Sequence, residues 1–329
     1  MADGLGGLAA PLRFPSRLRA RLVAGPDRFV VTGAGGWFGR ATLELLDEAL
    51  GDESTNRVLA YGSAARLQKL RSGRAVAVEP LDALSRIEGT GAPLHLAHYA
   101  FLTREKTAGM AHDEYVSANR RITALVVEHA RRLQMAGAFD TSSGAIYDPA
   151  GRARAALADN PYGALKLEEE VAFRSLADAG TRVASCRVFN VAGPFINKDY
   201  ALSSFLRAAL AGDAIRIAAT RPVIRSYLHV RDIVAVGFAV MRGLAEPPVA
   251  PYDTAGDEAV EMGELARRIR AAVRRPDLPI SRPPVTAEPA DRYVGDPGVL
   301  NGLAAQGGIA LAPLDEQIRD TADEMRSRM

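Results

Sequence analysis

The sequence predicts an α/β chain, a doubly wound parallel sheet followed by a smaller C-terminal domain. Three observations carry that expectation. Short apolar runs alternate with helix-length segments from Arg28 to Asn190, and such alternation makes a parallel sheet covered on both faces. The first run passes straight into glycines at Gly33, Gly36 and Gly39. Beyond Pro194 the alternation weakens, and Pro and Gly become dense between Glu246 and Pro297.

Taken in order, Arg28–Thr32 reads as a strand and Ala41–Leu50 as a helix, with Leu43, Leu46 and Leu50 at helical spacing. Strands are predicted at Arg57–Tyr61, Ala75–Val78 and Leu94–Ala97. The strongest helix is Tyr115–Leu133, which sets Ile122, Leu125, Val126 and His129 on one side. A strand at Ala138–Ser142, a helix at Pro161–Ala179 and a strand at Arg182–Asn190 follow. Residues 1–25 carry Arg13, Arg17, Arg19 and Arg21 without a signal peptide's apolar core. They read as a mobile leader, with a short amphipathic helix over Pro15–Leu22 as the alternative.

Composition excludes several classes. The chain has 329 residues and a formal charge of +2, which argues against a nucleic-acid-coating role. Its single cysteine, Cys186, rules out an internal disulfide and a cysteine-based zinc site, and no metal is expected. No apolar run approaches the roughly 18 residues of a membrane span. A soluble protein of a reducing compartment, the cytoplasm, is expected. Of 41 basic residues only four are lysines, Lys69, Lys106, Lys166 and Lys198, a skew that codon usage accounts for.

The segment Val31–Gly39 places G-x-x-G-x-x-G between a strand and a helix. Glycines let the backbone approach a pyrophosphate, and the helix N-terminus offers free N–H groups and partial positive charge. Dinucleotide binding follows, by Gly33, Gly36, Trp37, Phe38 and Gly39. A carboxylate ending the second strand selects NAD, but here Gly62, Ser63 and Arg66 follow it. Those residues suit a 2′-phosphate, so the cofactor is NAD or NADP, with NADP favoured.

A second constellation joins Ser143, at the end of the fifth predicted strand, to Tyr162 and Lys166. Residues four apart on a helix share one face, so an ammonium sits one turn from a phenol. Free tyrosine titrates near pH ~10, and a neighbouring cation favours the phenolate. Tyr162 is the candidate base, Lys166 its electrostatic support and Ser143 a second hydroxyl on the substrate oxygen.

With both motifs in place the chain resembles the extended short-chain dehydrogenases/reductases, in the branch of NAD(P)-dependent nucleotide-sugar epimerases and dehydratases. The likeness runs from about Phe29 onward. His95-Leu96-Ala97 is similar to the family's H-L-A segment beside the nicotinamide ribose, and Asn119 matches an Asn of the following long helix. Arg187–Pro194 resembles R-x-x-N-x-x-G-P, and Arg225–Asp232 resembles R-x-F-x-H-V-x-D. The resemblance implies a Rossmann domain over 26–193, with 223–245 returning to it, and a smaller substrate domain over 194–222 and 246–329. It adds Leu81, Ala97 and Asn119 to the cofactor residues. His98, Ser143, Asn190 and Arg225 are implied on the nucleotide sugar. It also implies a homodimer through the two long helices.

Several residues have plainer readings. His95 suits a satisfied core histidine, and Asp232 a cap on the helix Ile233–Met241. Departures from the family pattern narrow the reaction. Ser143-Gly144-Ala145 stands where 4,6-dehydratases carry Thr-Asp-Glu, so that dehydration loses its acid pair. Glu288-Pro289-Ala290-Asp291 replaces R-P-G-D, which leaves Arg292 as the substitute for the second diphosphate cation. Pro80 stands where an acid touches adenine, and Phe101–Lys106 matches no well-known epimerase loop. A 4-epimerase acting through a 4-keto sugar is the leading expectation. An NADPH-dependent keto-sugar or carbonyl reductase uses the same residues. A non-catalytic dinucleotide sensor is the third reading, against which Tyr162 and Lys166 both stand.

Overall fold

A computed structural model of the chain describes residues 11–89, 91–103, 109–148, 150–196 and 199–329. The chain opens with helix α1 (Ser16–Val23), strand β1 (Arg28–Thr32), α2 (Trp37–Leu50), a single turn α3 (Ser54–Arg57) and β2 (Val58–Gly62). A hairpin of β3 (Arg66–Lys69) and β4 (Ala75–Pro80) follows, then β5 (Leu94–His98), α4 (His112–Arg132), β6 (Gly137–Ser143), α5 (Pro161–Arg174) and β7 (Arg182–Val188).

The main sheet has eight strands, and its order continues past these elements. It runs β11 (Tyr252–Thr254), β7, β6, β5, β1, β2, β4, β3. All neighbours are parallel except the edge strand β3, which pairs antiparallel with β4. Strand order reverses between β1 and β5, and ligands bind in the crevice at the carboxyl ends of strands at such a reversal.

Between β7 and the C-terminus the chain also forms β8 (Asn190–Ala192), α6 (Ala201–Ala211), β9 (Ile215–Arg216), β10 (Val223–His229) and α7 (Val230–Met241). The rest comprises β12 (Ala259–Glu261), α8 (Met262–Ala272), β13 (Ile280–Ser281), β14 (Asp291–Tyr293), α9 (Gly298–Gly307) and α10 (Leu314–Arg326). Strand β10 bridges two neighbourhoods: its first half pairs with β12 and β14, and its second half with β8.

One face of the main sheet is covered by α1, α2, α7 and α9, and the other by α4 and α5. A separate core gathers α6, α8 and α10 around Leu206, Leu265 and Ile318. Three expectations change here. Residues 11–25 are no mobile leader: Leu12, Phe14, Leu18 and Leu22 are buried in the main core, because Leu18 and Leu22 share one helix face. The first ten residues of that leader lie outside the described residues. Strand β11 and helix α9, assigned by sequence to the smaller domain, belong to the main sheet and its cover.

The third change is the start of α7. His229 caps this helix, its Nδ1 accepting from the Arg231 amide at 3.0 Å. Asp232 turns inward and accepts from the Ala312 amide at 2.7 Å and Arg231 Nε at 2.9 Å. Among the described residues no helix is long and apolar enough to cross a membrane, and no cluster of three metal-ligating side chains occurs.

Candidate active site

The glycine turn is built for close approach. Gly33 has φ +67°, and a β-carbon there would stand 2.5 Å from the Tyr99 backbone; only glycine holds this conformation cheaply. At Gly39 a β-carbon would collide with the Gly33 carbonyl, so α2 packs directly on the turn. Gly36 is the N-cap of α2, which therefore begins at Trp37, four residues earlier than the leucine spacing suggested, and no side chain caps its amides. Free amides, helix dipole and close backbone fit a pyrophosphate, so the turn accommodates a nicotinamide dinucleotide.

Arg66 lies beside the turn. Both Arg66 and Ser63 are exposed, and the Arg66 guanidinium lies across the turn, where a β-carbon on Gly35 would strike it. Leu81 is half-buried against the core under α4. Ala97 is buried within β5, paired with Val31 and Phe139. Asn119 fastens a loop: its amide oxygen accepts from the Leu102 amide at 2.8 Å, and its nitrogen donates to the Leu102 and Tyr115 carbonyls. The Arg104–Lys106 part of the loop singled out by sequence lies outside the described residues, as does Lys198.

Gly36, Trp37, Phe38, Ser143, Tyr162, Lys166 and Asn190 all line one cavity of about 490 Å³. The structure thus brings the phosphate turn and the Ser/Tyr/Lys constellation together. Asn160 ties the two halves of the constellation. It caps α5 by accepting from the Gly163 amide at 3.0 Å, and its nitrogen donates to the Ala145 carbonyl at 2.6 Å. Ser143 accepts from the Ala145 amide at 3.1 Å.

Lys166 is buried, and its ammonium donates to the Thr141 carbonyl at 2.8 Å and to Glu169 Oε2 at 2.6 Å. It also stands 4.0 Å from the Phe101 ring centroid, and that ring meets Tyr162 edge-on. Burial opposes the charge on Lys166. Glu169, Tyr162 and Asp140 outweigh it, and the ammonium's pKa rises above the ordinary lysine value. Asp140, fully buried and beside Glu169, is pushed well up. Glu170 forms a two-pronged ion pair with Arg187 at 2.9 Å on each side. Arg187 also donates to the Tyr147 hydroxyl, which donates to Asp253 in β11.

The substrate-binding expectations divide. Asn190 lines the cavity, its nitrogen donating to the Ser226 and Tyr293 carbonyls. His98 does not reach it: the ring is buried, bonded through Nδ1 to Thr32 and through Nε2 to Glu169. Arg225 stands behind the cavity wall, over the Tyr293 ring, and pairs with Asp291 at 3.1 Å. Arg292 is exposed. Successive strand residues face opposite ways, so Tyr293 enters the cavity and Arg292 points away. His95 is a core histidine whose Nε2 meets Asp27 at 3.0 Å and Arg242 at 2.7 Å.

Sequence reasoning missed most of the further aromatic lining and had only Phe101 of it in view, as part of the Phe101–Lys106 loop. Phe101, Phe189, Tyr200, Tyr227 and Tyr293 all face the cavity. Tyr293 interacts through its hydroxyl with Ser143, and burial raises its pKa, so it stands as a neutral phenol beside the Ser143 hydroxyl. No periodic signal joins β14 to Ser143. Glu169 was in view as the third residue after Lys166, but its burial partner His98 lies on another strand.

The model of the NAD dependent epimerase/dehydratase family matches residues 29–250. No curated protein matches the sequence. Among solved structures the fold is similar to UDP-N-acetylglucosamine 4-epimerase from Methanobrevibacter ruminantium, at 17% identity and TM-score 0.69, covering 92% of this chain and 99% of that one. It is similar to UDP-glucose 4-epimerase from Thermus thermophilus in complex with NAD, at 22% identity and TM-score 0.65, covering 91% and 99%. It is also similar to TunA, an NAD-dependent NDP-hexosamine 5,6-dehydratase of tunicamycin biosynthesis, at 17% identity and TM-score 0.66, covering 92% and 99%. From the glycine turn, the Ser/Tyr/Lys constellation and the family match over two-thirds of its length, the chain belongs to the NAD-dependent epimerase/dehydratase family, enzymes of the extended short-chain dehydrogenase/reductase type.

Proposed function

We propose that the chain is a nucleotide-sugar 4-epimerase acting through a 4-keto intermediate. One observation carries the reading: Ser143, Tyr162 and Lys166 face the same cavity as the phosphate-binding turn. The bound nicotinamide supplies the reversible oxidant. The chain's own residues handle the proton and the geometry. Tyr162 takes the proton of the sugar 4-hydroxyl, and Ser143 donates a hydrogen bond to the same oxygen. The Lys166 ammonium has three donors, two of them fixed by Thr141 and Glu169, and offers the third to the cofactor ribose. Asn190, which lines the cavity, faces the diphosphate end, and an anchored diphosphate lets the keto sugar turn.

Gly144 supports this choice over 4,6-dehydration. A side chain there would meet Phe189 and Tyr293, so the position cannot carry a dehydratase acid without rebuilding the wall. The position of Arg66 across the turn favours a second reading, an NADPH-dependent keto-sugar or carbonyl reductase. A homodimer through α4 and α5 belongs to the same proposal, and solution scattering from a monomer would remove it.

Incubation with a panel of nucleotide sugars, products followed by NMR, tests the epimerase. Cofactor oxidation stoichiometric with product selects the reductase instead. Tyr162→Phe should lower turnover by about 10²–10⁴-fold and leave dinucleotide affinity unchanged. Near-normal turnover in that variant would end both readings.

A further inference from the structure

Four ionisable side chains meet beneath the cavity floor, and the mechanism above uses only one of them. Lys166 and Glu169, on successive turns of α5, form an ion pair at 2.6 Å with side chains 5% and 0% exposed. The other oxygen of Glu169 meets His98 Nε2 at 2.9 Å, and His98 Nδ1 meets the Thr32 hydroxyl at 2.7 Å. Phe173 stacks on the His98 ring at 5.0 Å. The fourth group, Asp140, is occupied by the Ser185 hydroxyl and has been pushed towards its neutral form.

We propose that Glu169, oriented by His98, is a positioning residue for this site: it fixes the Lys166 ammonium below Tyr162 and keeps it charged where no water can. The inference rests on the functional reading above. A buried ammonium without a counter-charge sheds its proton, and a neutral amine would neither favour a phenolate nor bind a ribose hydroxyl as strongly. A second contact with His98 leaves the Glu169 carboxylate little freedom, because one oxygen is held by Lys166 on its own helix and the other by His98 on β5. The groups facing the pair are Asp140 from β6, His98 from β5, Tyr162 and Glu170 from α5, and Cys186 and Arg187 from β7. Glu170 is matched by Arg187, Asp140 is engaged by the Ser185 hydroxyl and Cys186 is buried with its thiol pushed up. Glu169 is therefore the one counter-charge in direct contact with Lys166 among the described residues.

The chain's four lysines make a direct test practical. In protein labelled at lysine Cε, NMR gives four titrating signals that need no substrate, with Lys166→Met assigning the relevant one. In the intact chain Lys166 should titrate above the other three. In Glu169→Gln its midpoint should fall by at least about one pH unit. With any substrate that turns over, the alkaline limb of kcat should move down by a similar amount while KM changes little. His98→Gln, which keeps the carboxylate but removes the ring, should give a smaller fall. An unchanged midpoint in folded Glu169→Gln overturns the proposal. So does a Lys166 midpoint at or below the other lysines in the unmutated chain, a result that stands even if the variant does not fold. A lowered midpoint with an unmoved kcat limb overturns the catalytic half. A silent substrate panel counts against the functional reading alone, since the NMR titration decides the ion pair without it.

Discussion

Gly144 and Tyr293 compete for one space: a β-carbon on Gly144 would stand 2.8 Å from the Tyr293 hydroxyl. The absence of a side chain at 144 lets a phenol from β14 reach Ser143. Tyr293→Phe removes one hydrogen-bonding group beside Ser143, and a contact worth ~1 kcal/mol corresponds to about a five-fold fall in kcat. Steady-state kinetics checks it, and a change confined to KM would show that the phenol only shapes the pocket. Gly144→Asp should displace Tyr293 and Phe189, lower the thermal midpoint and abolish turnover, without conferring dehydration.

Asn160 performs two tasks that substitution can separate. Asn160→Ala loses the cap of α5, worth about 1 kcal/mol, and leaves the Ala145 carbonyl without its partner. Thermal unfolding should come a few degrees earlier. Turnover measured well below that midpoint should fall further than stability does, because Tyr162 and Ser143 lose their common tie. Asn160→Asp keeps the acceptor for Gly163 and should recover the melting temperature better than the rate.

The Arg66 guanidinium lies against Gly35 of the phosphate turn, and the proposed 2′-phosphate contact has a direct test. Arg66→Ala should weaken NADP binding by at least about ten-fold, the scale of a lost charge-assisted hydrogen bond, with NAD affinity unchanged. Calorimetric titration with both dinucleotides decides it. Equal effects on the two would leave Arg66 as a surface residue.

His95 governs part of the acid stability. Burial is the main cause of its depressed pKa, about 4 against an ordinary 6.5, with the contact to Asp27 acting the other way. The fold therefore prefers the neutral ring, and the unfolded chain takes up the proton first as pH falls. Stability from this source is complete above pH 6.5 and drains as pH falls towards 4. Thermal midpoints across that window should decline in the native chain. In His95→Gln the decline should flatten.

Much of the site was legible because its chemistry is local. Tyr162 and Lys166 are one helical turn apart, and the three glycines lie within seven residues between a strand and a helix. Tyr293 was not legible, since it meets Ser143 only after β14 pairs with β10, and no spacing encodes that. Strand β3 escaped because Arg66, Leu67 and Lys69 are all exposed, an edge strand without alternating burial. Helix α1 was offered only as the alternative to a mobile leader, because its arginines face solvent and nothing local shows that Leu18 and Leu22 face the core. At α7 the sequence pointed to Asp232 as the cap, but the loop before α10 packs on that carboxylate and turns it inward, which leaves the cap to His229.

The chain has a single tryptophan, Trp37. Its indole nitrogen donates to the Pro194 carbonyl at 2.6 Å, its ring neighbours Phe38, and it lines the cavity at the first turn of α2. The molecule thus carries one intrinsic indole fluorophore, placed at the seam between the phosphate turn and the segment leading to α6. Its emission is a single-site signal, so quenching or a spectral shift reports occupancy of the cavity with no label and no second tryptophan to obscure it.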